Sequence, residues 1–138
     1  MDAWDRFDAA FSDSSPIYSQ IITLFSRSLA RGEISPGERI PSIRDMSLHL
    51  KVNANTMQRV YREMERSGLI SSRRGTGYYF TEDEDMAKKV GDEMARVAVN
   101  GFLEEMRALG FSDERIMSEL KIRLEGEKND GASDDKRA

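Results

Sequence analysis

Asn53, Asn55, Thr56, Gln58 and Arg59 crowd into one short stretch of this chain. Side-chain amides bond the adenine edge bidentately and a guanidinium does the same to guanine, so this mixture suits the reading of bases in a major groove. The same residues on the wet side of a helix also make an ordinary solvated face, and Asn53 suits a helix cap. A second candidate is the run Arg73-Arg74-Gly75-Thr76-Gly77, where glycine gives both turn geometry and a close backbone approach to sugar and phosphate. Arg44 is a third, near enough to a preceding turn to bind a phosphate or reach a base. Catalytic chemistry has far less to work with. There is no Cys, and the single His, His49, has neither a second His nor a carboxylate at i+4. No phosphate-binding loop precedes a helix, and Glu104-Glu105 reads as a wet helix face. No catalytic set, metal site or cofactor is therefore expected.

Three elements must position these residues. Pro16 opens a helical pattern over residues 17–31, with Ile17, Tyr18, Ile21, Ile22, Leu24, Phe25 and Leu29 on its apolar side and Gly32 closing it. Ile34-Ser35-Pro36-Gly37 is a turn, and Arg39-Ile40 leaves room only for a very short strand. Ser42 caps a short second helix, with Asp45 at its third position and Ile43, Met46 and Leu50 facing inward. Asn53 caps a third, ending near Ser67, that buries Met57, Val60, Tyr61 and Met64 and turns Asn55, Gln58, Arg59, Arg62 and Arg66 outward. Residues 69–72 and 78–81 are β-prone and flank the basic glycine-rich tip. Two short helices joined by a tight turn, then a hairpin, give the order of a winged helix-turn-helix.

Charge is distributed in keeping with that order. The net charge is -4, but residues 16–80 hold ten Lys/Arg against five Asp/Glu, between a flank of one against four and another of ten against sixteen. A basic block between acidic flanks suits a polyanion-binding module whose remaining chain does another job. The acidic residues 1–15 do not resemble a signal peptide, and no apolar run approaches the ~20 residues that cross a bilayer. A cytoplasmic protein with no membrane partner is expected, meeting the nucleoid when bound to DNA.

After Thr81, Glu82-Asp83-Glu84-Asp85 makes an acidic start to a long helix. Val90, Met94, Val97, Ala98, Phe102 (or Gly101), Met106 (or Leu103) and Leu109 form its apolar stripe; Gly110 interrupts, and Ile116, Met117, Leu120 and Leu124 line a last helix. Two such helices cannot bury that surface alone, so a partner subunit is expected on Val90, Met94, Val97, Phe102, Met106, Leu109, Ile116 and Leu120. The expected organisation is mainly α: an N-terminal arm over residues 1–13, a winged helix-turn-helix with three helices and a β-hairpin wing over 14–82, a two-helix dimerisation region over 83–125, and a polar, disordered tail over 126–138. A winged-helix module that binds protein and not specific DNA is the competing reading.

Over residues 14–82 the motifs are also recognisable. Pro16-Ile17-Tyr18-Ser19-Gln20-Ile21, the run from Gly32-Glu33-Ile34 through Pro41-Ser42-Ile43-Arg44, Val52-Asn53-Ala54-Asn55-Thr56 with Tyr61, Gly68-Leu69-Ile70 and Arg74-Gly75-Thr76-Gly77 together resemble the GntR family of bacterial regulators. The short remainder, with Leu109-Gly110-Phe111-Ser112, resembles the YtrA-like subgroup. The resemblance implies a homodimer on an operator with inverted half-sites, repressing in many members an operon for a membrane transporter. It implies DNA contact from Arg44, from Asn53, Ala54, Asn55, Thr56, Gln58 and Arg59, and from the wing residues Arg73, Arg74, Gly75 and Thr76. Ala54 departs from relatives that carry a base-reading side chain at that place, so their specificity does not transfer. An unidentified small-molecule effector between the C-terminal helices and regulation without a ligand are both compatible with the chain.

Overall fold

A computed structural model describes residues 11–135, with side chains through residue 128. The elements are α1 (Ile17–Ala30), β1 (Arg39–Ile40), α2 (Ile43–Leu50), α3 (Ala54–Arg66), β2 (Ile70–Arg73), β3 (Gly77–Phe80), α4 (Glu84–Ala108) and α5 (Asp113–Asp135). This is the winged helix-turn-helix followed by two helices that the sequence pattern predicts.

Local signals set the ends of the short helices. The Ser42 hydroxyl accepts from the Asp45 amide at 3.1 Å, and the Asn53 side-chain oxygen accepts from the Asn55 amide at 2.8 Å. Each satisfies an amide that has no partner within the helix. Between α2 and α3 the chain reverses at Lys51, whose φ of 57° is left-handed. The Val52 amide then bonds the Ser47 carbonyl at 3.0 Å and closes the turn.

The sheet has the order β1-β3-β2 and is antiparallel throughout. Its register places Arg39 opposite Tyr79, Ser71 opposite Tyr79, and Ile70 opposite Phe80. Alternation along each strand then turns Ile40, Ile70 and Phe80 to the core and leaves Arg39, Tyr79 and Arg73 on the other face. Ile21, Phe25 and Leu29 of α1 meet Met46 and Leu50 of α2, Met57, Val60, Tyr61 and Met64 of α3, and those three sheet residues in one core. Phe25 and Phe80 stack at a tilt with centroids 6.1 Å apart, and the Tyr61 ring meets Tyr78 edge-on at 5.0 Å.

Asp83 caps α4, its carboxylate accepting from the amides of Asp85 and Met86 at 3.0 and 3.3 Å. The molecule divides into two compact units, Met1–Met94 and Ala95–Ala138, so the first turns of α4 belong with the winged helix. Ala87 and Val90 pack against its core, which gives Val90 a structural role within its own chain. Ile116 is only 2% exposed. Ile116 does not offer the free surface expected of it from the stripe pattern, and Val90 is half-buried. Beyond residue 125 the structure departs from the disordered tail of the sequence reading: α5 continues through Gly126 to Asp135. A glycine inside a helix costs only about 1 kcal/mol relative to alanine, too little to stop one among Glu125, Glu127 and Lys128. The N-terminal arm up to residue 10 and the tail from 136 lie outside the described residues. No helix among the described residues is long and apolar enough to cross a membrane.

Candidate nucleic-acid interface

Helix α3 buries Met57, Val60, Tyr61 and Met64 and exposes Asn55, Gln58, Arg59 and Arg62, so its two faces follow the 3.6-residue period. Its orientation is fixed from behind. The buried Tyr61 hydroxyl donates to the Pro41 carbonyl at 2.6 Å, tying the middle of α3 to the start of α2. Burial, with lesser contributions from Tyr78 and Asp45, pushes the Tyr61 phenol far above its ordinary range, so it stays a neutral donor.

That tie holds the start of α2, which carries Arg44, against the middle of α3. Arg44, Ser47, Leu48, Val52, Ala54 and Gln58 line one open hollow between α2 and the first turns of α3. Arg44 and Gln58, read separately from the sequence, are thereby brought together, with Ala54 between them.

Other candidates are engaged elsewhere. The Asn53 side-chain oxygen is committed to its cap, and Thr56 is half-buried. The Arg59 guanidinium lies 3.7 Å from the centre of the Tyr18 ring, a cation–π contact that directs it back toward α1 and away from Gln58. Arg73 pairs with Glu82 at 2.6 Å and lies over the Tyr79 ring at 4.1 Å. A carboxylate thus already engages one Nη of the Arg73 guanidinium.

At the wing tip the Thr76 amide bonds the Arg73 carbonyl at 3.0 Å, and Gly75 supplies the left-handed φ of 80° that this turn demands. Arg74, Gly75 and Thr76 are all exposed, and among the described residues no ion pair engages Arg44, Arg62 or Arg74.

Arg39 is a cation the sequence reading passed over. Its Nε lies 3.3 Å from where a Cβ on Gly77 would sit, so the glycine lets the guanidinium cross the base of the wing. Inward-facing Ile40 was the signal that Arg39 points out. Its position beside the wing follows from the β1–β3 pairing, a long-range contact with no local signature.

The model of the bacterial regulatory proteins of the gntR family matches residues 17–80. The HTH-type transcriptional regulator YhcF of Bacillus subtilis is 39% identical over 119 residues, which span 86% of this chain and 98% of that relative. The chain belongs to the GntR family. This GntR chain also resembles the solved structure of a GntR family transcriptional regulator from Listeria monocytogenes, with a TM-score of 0.76 and 35% identity over 80% of this chain and 97% of the other. The HTH-type transcriptional repressor YtrA of Bacillus subtilis is 39% identical over 70 residues, 51% of this chain and 54% of that relative. As a GntR protein the chain is a transcriptional regulator with a DNA-binding domain, and the relatives and folds that it matches are regulators, not enzymes.

Proposed function

We propose that the chain is a homodimeric repressor that binds an inverted-repeat operator in double-stranded DNA, with α3 in the major groove and the wing against the neighbouring backbone or minor groove. The observation that carries this reading is the meeting of Arg44 with Ala54 and Gln58 around one exposed hollow, backed by an apolar core that fixes both helices. Arg74, exposed at the glycine-bearing tip, supplies a further cation.

Dimerisation is supported by what the second unit leaves uncovered. Val97, Val99, Phe102, Leu109, Met117, Leu120, Ile122 and Leu124 are all exposed, more large apolar side chains than two helices ordinarily leave to water, which favours a partner covering part of them. Repression is the role of the related transcriptional repressor YtrA. The transporter operon remains what the subgroup resemblance implies.

Footprinting on the DNA upstream of its own gene is the test. Protection is expected over two half-sites roughly 10 bp apart, centre to centre, or a multiple of that. The triple alanine variant at Arg44, Asn55 and Arg74 is expected to lose it. An unchanged footprint from that variant removes this surface from the DNA contact.

A further inference from the structure

Leu48 stands out on the recognition surface. It is 69% exposed, on the same side of α2 as Arg44 one turn earlier, and it lines the hollow with Val52 and Ala54. Ala54 is the first residue of α3 and is itself exposed, too short to hydrogen-bond a base. The lining therefore combines the apolar Ile43, Leu48, Val52 and Ala54 with Arg44, Ser47 and Gln58, and no acidic residue lines it.

A hollow whose lining mixes apolar side chains with base-reading donors has a narrow choice of occupant in a major groove. Donors and acceptors fill most base edges there, and the C5-methyl group of thymine is the one apolar group they present. A protein partner seated in the hollow would cover Arg44 and Gln58 and exclude the duplex. We infer that the hollow receives a thymine methyl group in each operator half-site, and that Leu48 and Ala54 determine specificity at that base pair. This rests on the DNA-binding reading above and goes beyond it by naming what the surface selects.

The experiment begins with selection of binding duplexes from a random pool by the full chain. Each thymine of the selected site is then replaced singly by deoxyuridine, which removes the methyl group and leaves every hydrogen-bonding atom. At one thymine per half-site the replacement is expected to weaken binding about three- to fivefold, the loss of one buried methyl group. In Leu48→Ser, with its thermal unfolding checked against wild type, the penalty at that thymine should shrink to less than about twofold. Retention of the full penalty in both Leu48→Ser and Ala54→Ser overturns the assignment, as does a selected site in which every thymine tolerates deoxyuridine. Failure to select any duplex overturns the DNA-binding reading along with it. Selection of a site indifferent to the methyl group overturns only this inference.

Discussion

Arg73 and Glu82 illustrate how a side chain's role depends on its neighbours. Arg73 is held between the Glu82 carboxylate and the Tyr79 ring, with both charged partners well exposed. Such a pair adds little to stability because water screens it. It does place an anion where a phosphate would sit. Glu82→Gln is therefore expected to strengthen binding to all duplexes alike by about two- to threefold, and Arg73→Ala to weaken all of them alike. Titration of an unrelated duplex checks both. A change confined to the operator would give Arg73 a base-reading role. Tyr61 carries a different kind of prediction. Its phenol is kept protonated in the fold at a pH where the unfolded chain ionises, so its contribution is present below about pH 10 and lost as pH rises further. Tyr61→Phe should cost about 1–2 kcal/mol at neutral pH through the lost bond to Pro41, and should flatten the alkaline decline in denaturant midpoint. An unaltered decline would assign it to other groups. The capping roles of Ser42 and Asn53 were legible in the sequence because a cap is a local event. The engagement of Arg59 with Tyr18 and of Arg73 with Glu82 was not, since each joins elements set side by side only by the fold.

At the scale of elements, the helix-turn-helix depends on a reversal made without glycine. Lys51 holds a φ of 57°, a region that costs a residue with a Cβ about 1–2 kcal/mol. Lys51→Gly is expected to raise stability by up to about 1 kcal/mol in urea unfolding, partly offset by the freer unfolded chain. A fall in stability would show that the lysine side chain makes contacts that outweigh the strain. The stripes of α1, α2 and α3 and the hairpin were readable because burial follows their periods. The pairing of β1 with β3 was not, because two residues carry no pattern and their partner lies far along the chain. The continuation of α5 escaped because polar composition alone suggested a disordered tail, although one glycine among charged helix formers only weakens a helix.

For the molecule as a whole, the apolar residues of the C-terminal helices divide into two groups that the stripe pattern merged. Val90 and Ile116 serve their own chain, whereas Leu109 is 68% exposed and Phe102 is 36% exposed. Leu109→Asp is expected to shift the purified protein from dimer to monomer in sedimentation, with the thermal midpoint of the winged helix preserved, and to weaken operator binding. Ile116→Ala should instead destabilise the second unit by about 2–5 kcal/mol. A monomeric wild-type protein would remove the basis for paired half-sites. The most direct test of the central claim, that Arg44 of α2, the side-chain amides of α3 and Arg74 of the wing form one DNA-facing surface, is the salt dependence of binding to the footprinted operator. The logarithm of the wild-type association constant is expected to fall steeply and linearly with the logarithm of salt concentration, and the Arg44/Asn55/Arg74 alanine variant to show a slope shallower by about 2. A flat wild-type response, or the same slope in the variant, would contradict it.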